Sequence, residues 1–195
     1  DKRDLCLRCH EDVASVAAGN AAHPPVLNGN CVACHNPHAS DHPNQLHQPL
    51  FETCVSCHEP VAEWRDKAVV HEPVGDNECM TCHAVHGSDV VGLLKGAVPG
   101  ICMDCHDTGA AFDRAHKGRS VAGTNCVACH DPHASEEKGL LRANQHRPFA
   151  SDNCSTCHAD LESGGTFAIA TPVQDMCLKC HRSVEVFKQA TNHHN

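Results

Sequence analysis

Cys-x-x-Cys-His occurs eight times in this chain and uses every one of its 16 cysteines. The copies are Cys6/Cys9/His10, Cys31/Cys34/His35, Cys54/Cys57/His58, Cys79/Cys82/His83, Cys102/Cys105/His106, Cys126/Cys129/His130, Cys154/Cys157/His158 and Cys177/Cys180/His181. Isolated Cys-x-x-Cys pairs are ordinarily zinc ribbons, iron–sulfur ligands or disulfides. Those readings fail on the histidine. His is 19 of 195 residues, so its return at the same offset in eight motifs is not chance, and a zinc ribbon needs no His there.

The motif is the attachment signature of c-type haem. Two thiols add across the two vinyl groups of one porphyrin, and the adjacent His gives the iron its proximal ligand. Two intervening residues let a single helical turn present both sulfurs to one edge of the ring and the imidazole to its face. The expectation is eight covalently attached haem c groups, held by the sixteen motif cysteines, with His10, His35, His58, His83, His106, His130, His158 and His181 on iron.

Composition fits a chain wrapped around cofactor. The hydrophobic fraction of 41% includes all 16 Cys, and the aromatics are one Trp and five Phe with no Tyr. A packed apolar core would need more large side chains than this. Gly at 13 and Pro at 11 oppose long secondary structure. The predicted fold is mostly irregular with short α-helices and near-zero strand: an elongated, single octahaem domain over 1–195 whose core is porphyrin.

No stretch is long and apolar enough for a transmembrane helix. The chain opens Asp1-Lys2-Arg3-Asp4 with no visible leader, yet covalent haem attachment takes place outside the cytoplasm. The expectation is therefore the mature form of an exported protein, in the periplasm or associated with the outer membrane, alternatively extracellular. The formal charge of −9, with two propionates added by each haem, makes nucleic acid and anionic membrane surfaces poor partners.

The motif starts also reveal a longer period. Every second motif returns after 47 to 52 residues, which predicts four tandem two-haem units at approximately 1–50, 51–98, 99–150 and 151–195. Cys31-Val-Ala-Cys-His-Asn-Pro-His38-Ala-Ser recurs as Cys126-Val-Ala-Cys-His-Asp-Pro-His133-Ala-Ser, and more loosely around Cys79 up to His86. An array in which each unit touches mainly its neighbours arranges haems in a row, close enough for electrons to hop from iron to iron.

Imidazole suits iron as a sixth ligand. Met80 and Met103 lie inside motifs and Met176 abuts Cys177, so methionine is poorly placed. Repeat-equivalent positions single out His23, His71 and His116 in one series and His38, His86 and His133 in the other as distal ligands. The last unit breaks the pattern: Ile169 stands eight residues before Cys177 where a His is expected, and Val184 stands three after His181. Its ligands must come from His42, His47, His146, His193 or His194. Of these, His47 and His146 lie just before Cys54 and Cys154, and His193 could fold back over the final haem.

With these residues the chain resembles the doubled Cys-x-x-Cys-His family of multihaem c-type cytochromes, whose pattern is His, then Cys-x-x-Cys-His-x-Pro-His, then a further Cys-x-x-Cys-His. Residues His23 to His58, His71 to His106 and His116 to His158 match most closely. Within the family, the high haem density and the acidic, compact, repeat-built chain are similar to the periplasm-facing cytochromes of porin–cytochrome conduits in metal-reducing bacteria. The resemblance implies an electron carrier, not an enzyme, whose bis-His, low-potential haems conduct electrons across or beyond the cell envelope. Partners would be other multihaem cytochromes, with an outer-membrane β-barrel porin or copies of the chain itself as further candidates. The alternative is a subunit of an extracellular cytochrome filament. A multihaem reductase of a small oxyanion is less favoured, because the chain has no variant motif, no Tyr and no spare Cys.

Overall fold

In the computed structural model, residues 2–17, 21–118, 121, 123–158, 169 and 171–181 are described. Local structure is organised by the cysteine motifs. In all eight, the histidine backbone N–H donates to the carbonyl of the first cysteine at 2.9–3.1 Å, closing one helical turn. The longest helix among the described residues is Glu11–Ala17, of seven residues. Segments this short do not hold themselves in water, so their shape depends on what they attach to.

The motifs fall into two classes. Cys6, Cys54, Cys102 and Cys177 sit towards the ends of helices that begin before them, Lys2–Leu7, Leu50–Val55, Gly100–Met103 and Val173–Leu178. Cys31, Cys79, Cys126 and Cys154 instead open one-turn elements, Cys31–Ala33, Cys79–Cys82, Cys126–Ala128 and Cys154–Thr156. Three of the second class share an entry. His23, His71 and His146 adopt nearly the same extended conformation (φ −64 to −65°, ψ 130 to 134°) and each starts a four-residue helix, Pro24–Leu27, Glu72–Gly75 and Arg147–Ala150. A proline in the first turn starts each helix where no backbone donor is needed. His116 is different: it ends the helix Ala110–Ala115.

The second class also shares an exit. His35, His83, His130 and His158 form antiparallel bridges with Leu46, Leu94, Leu141 and Ile169. In the first three the chain reverses through two left-handed residues, Asn44-Gln45, Gly92-Leu93 and Gly139-Leu140. Consecutive positive φ values are those of a type I′ turn, which asks for Gly or Asn at its first position. Ile169, read from sequence as the place of a missing His, thus occupies the position of Leu46.

Strand is confined among the described residues to four two-residue pieces: β1 (Ala21–Ala22), β2 (Val69–Val70), β3 (Gly87–Ser88) and β4 (Ala134–Ser135). They form two antiparallel ladders, β1 with β3 (Ala21 opposite Ser88) and β2 with β4 (Val69 opposite Ser135). Lys67 and Glu136, 3.0 Å apart, flank the second ladder. The chain divides into two compact units, 1–107 with 123–143, and 108–122 with 144–195.

A protein core is nearly absent. Leu46 and Ala134 are the buried apolar residues among those described, Ser135 is the buried polar one, and no side chain is fully enclosed. Large apolar side chains such as Val91, Leu5 and Val173 stand mostly exposed. Normal domains bury far more than this.

Candidate haem-binding sites

Each motif presents its two thiols and its imidazole from one turn, and the ladders decide what faces them. His23 donates its backbone N–H to the carbonyl of His86 at 3.1 Å, at the end of the β1–β3 ladder. His71 does the same to His133 at 3.0 Å, at the end of β2–β4. Each ladder therefore sets two non-motif histidines side by side, and each of the four rings faces a motif histidine. His23 faces His58 at 6.1 Å between ring centroids, His86 faces His35 at 6.1 Å, His71 faces His106 at 5.9 Å and His133 faces His83 at 6.0 Å. In the other unit His146 faces His181 at 5.9 Å. The planes are within 16 to 26° of parallel, except for 41° between His35 and His86.

A 6 Å gap is not ring-on-ring contact, for which Trp64 on His133 at 3.9 Å is the local example. It matches the gap that an iron held between two imidazoles would take. Two metal–nitrogen bonds of about 2 Å, plus about 1.1 Å from nitrogen to ring centre on either side, span about 6.2 Å. The residues thus fit bis-imidazole iron with a porphyrin between the rings.

The hydrogen bonds on the far side of the rings agree with this. The Nδ1–H groups of His35, His83 and His130 donate to the carbonyls of Asn44, Gly92 and Gly139 at 2.7–2.9 Å. His71 donates to Pro132 and His116 to Phe112, both at 2.9 Å. A backbone carbonyl on Nδ1 leaves Nε2 with its lone pair, the arrangement of metal-bound histidine. Burial, then the facing His58, holds the His23 imidazole below its ordinary range. Burial, then His35, does so for His86. Burial lowers His133 against the opposing pull of Asp131. A ligand must be neutral, so burial favours binding.

The first thiols of the motifs meet one another. Burial, then the sulfur of Cys6, pushes up the Cys31 thiol. Cys54 is raised by burial and by Cys79, and Cys102 by burial and by Cys126. The second thiols, assigned from sequence to the same haems, differ from the first in their setting. Cys9, Cys57, Cys105, Cys129 and Cys180 stand exposed, whereas Cys34, Cys82 and Cys157 are half-buried. Cys9, Cys34, Cys57, Cys105, Cys129, Cys157 and Cys180 each donate the backbone N–H to the first cysteine's carbonyl at 3.1–3.3 Å, whatever their exposure. No disulfide joins any two of the sixteen cysteines. A thioether bond needs a vinyl group that no residue supplies, and both thiols of a motif would be used by one porphyrin. Among the described residues no group of three or more His, Cys, Asp or Glu converges as a bare metal site.

Other expected ligands stand elsewhere. The His47 ring donates from Nε2 to the Val32 carbonyl at 2.9 Å, the role Arg142 plays towards Val127 at 3.0 Å. It braces a motif turn instead of facing a motif histidine. His38 is exposed, with its backbone N–H on the Asn36 side chain at 3.1 Å. His42 donates its backbone N–H to Ser40 at 3.0 Å. The His116 ring lies against Phe112 at 4.2 Å. His193 and His194, like Val184, lie outside the described residues. Both His47 and His146 open a His-x-Pro stretch, and the one difference the sequence offers is spacing: His146, like His23 and His71, stands eight residues before its cysteine, and His47 stands seven.

The doubled CXXCH motif family matches residues 23–63, 71–111, 119–145 and 146–186, most of the chain. No curated protein matches it. The matched frame differs from a division at 1–50, 51–98, 99–150 and 151–195. It opens the first and fourth segments on His23 and His146 and pairs Cys31 with Cys54, Cys79 with Cys102 and Cys154 with Cys177, while Cys126 stands alone. The two structural classes of motif are framed in the same way.

Proposed function

The chain belongs to the doubled CXXCH motif family of multihaem c-type cytochromes, and from that premise we propose that it is an octahaem electron conduit with bis-His, low-potential haems. Haem c bound at these motifs carries the redox chemistry; the residues hold iron at set spacing and potential. The observation that carries the reading is the set of histidine rings facing across about 6 Å, with carbonyls on the far side of several of them. His23, His86, His71, His133 and His146 are the distal ligands opposite His58, His35, His106, His83 and His181. His38, His116 and His193 are the further candidates for distal ligands.

The same contacts support a row in chain order. Thiol neighbours link the first motif to the second, the third to the fourth and the fifth to the sixth. The two ladders link the second to the third and the fourth to the fifth through adjacent distal histidines. Electrons would pass along this row from a periplasmic donor towards a cytochrome partner at or beyond the outer membrane. Among the described residues no helix is long and apolar enough to cross a membrane.

Intact mass of the purified protein is expected to show eight haems on one chain, with low-spin ferric and ferrous spectra. His146→Ala is expected to convert one haem to a carbon monoxide-binding form, and His47→Ala none. Carbon monoxide binding by the parent protein at the haems of His35, His58, His83, His106 or His181 would overturn the bis-His reading.

A further inference from the structure

The repeat gives the same role to His86 and His133, so what differs around them is this chain's own addition. Each follows a second-class motif and faces the second-class histidine of the preceding repeat, His35 and His83 respectively. Two positions next to them differ. Two residues before the ring, Ala84 precedes His86 and Asp131 precedes His133. Six residues after the first-class histidines His10 and His58 come Val16 and Trp64. Val16 lines the same cavity as His86. Trp64, the chain's one tryptophan, stacks on the His133 ring at 3.9 Å and 5°.

The Asp131 carboxylate is held against the same ring. Its Oδ1 lies 3.6 Å from His133 Nδ1 and accepts the His133 backbone N–H at 3.1 Å. Its Oδ2 lies 3.9 Å from Arg142, whose side chain is half exposed and so screened by water. The segment bearing Trp64 is pinned by Lys67 to Glu136 at 3.0 Å. At His86 the acidic influence is that of Asp12, acting through space.

Resting on the ligation proposed above, we infer that Asp131 and Trp64 single out the haem held by Cys79, Cys82 and His83, keeping its potential below that of the equivalent haem at His35. A carboxylate at Nδ1 strengthens the donor character of an imidazole ligand. Accepting one electron lowers the positive charge of the iron by one, so a negative group beside its ligand favours the oxidised state. Trp64 is a positioning residue: flat against His133, it holds the imidazole plane, and with it the direction of the Asp131 contact. One haem of the row is thereby a step in the electron path, not an equal member.

The repeat itself supplies the variants. Asn36 stands where Asp131 does, and its Oδ1 accepts the His38 N–H at the same 3.1 Å, so Asp131→Asn keeps the backbone bond and removes only the charge. Trp64→Val installs the residue of the equivalent place. Spectroelectrochemical titration of the full holoprotein is expected to show one haem component moving to higher potential in Asp131→Asn, with the rest unmoved and all haems low-spin. Trp64→Val is expected to alter the EPR anisotropy of a single low-spin haem. Unchanged components, or all components moving together as a net-charge effect would make them, overturns the assignment of Asp131. An EPR spectrum identical to the parent overturns that of Trp64. His133→Ala tests the underlying ligation separately: if no haem then binds carbon monoxide, that reading fails, whatever the first two variants show.

Discussion

At the scale of single residues, the motif histidines His35, His83 and His130 are oriented by backbone placed behind them. The Gly92 carbonyl accepts the His83 Nδ1–H at 2.9 Å because Gly92 lies at φ 78°, and Asn44 does the same for His35 at φ 57°. Gly92→Asn should therefore be tolerated. Gly92→Val should cost about 1–2 kcal/mol from backbone strain alone, since a Cβ there would meet nothing within 4 Å. Thermal unfolding of the two holoproteins checks the contrast. The distal residues carry a pH dependence. The pKa values of His23, His86 and His133 are depressed by burial, so the unfolded chain binds more protons between the depressed values and the ordinary 6.5. The stability they contribute is complete above pH 6.5 and is lost as pH falls through that window, and iron ligation pulls the same way. Denaturant midpoints from about pH 7.5 to 5 should fall steadily. A flat profile would show that these rings are not held neutral.

At the scale of elements, four two-residue strands matter more than their size. Near-zero strand is a fair expectation, because Ala21-Ala22 and Gly87-Ser88 carry no strand-like alternation and nothing local marks them as partners. They pair because the residues that follow or precede them, His23 and His86, share a backbone bond. The buried Ser135 stitches the second ladder to its motif: its hydroxyl donates to the Leu141 carbonyl and accepts the Glu137 N–H at 3.0 Å. Ser135→Ala leaves both partners unsatisfied and is expected to destabilise the holoprotein by about 1–3 kcal/mol. The disturbance should be confined to the haems of His83 and His106, whose facing rings hang on that ladder; difference spectra during melting would show it. The odd and even series of the sequence coincide with the two structural classes as far as Cys126 and part only in the last unit, where Cys154 opens a one-turn element and Cys177 lies towards the end of a helix.

At the scale of the whole molecule, the described residues build almost no interior of their own. With two buried apolar residues among those described and none fully enclosed, apolar burial is far below the conformational entropy that folding must overcome. The chain made without haem attachment, or with the motif cysteines replaced by serine, is expected to show the far-UV circular dichroism of an unfolded polypeptide. A cooperative thermal transition in that chain would contradict a fold built on cofactor. The proximal ligands, the thiols and the family can be read from the sequence because each motif is complete within five residues and closed by one hydrogen bond in its own turn. The distal partners cannot. Repeat spacing nominates His23, His71, His86 and His133, but His47 and His146 differ in the sequence only by one residue of spacing, and it is the fold that sets one against a carbonyl and the other opposite His181. Which ring faces which iron depends on contacts between segments far apart in the chain, and only the tertiary structure decides those, because no local bond encodes them.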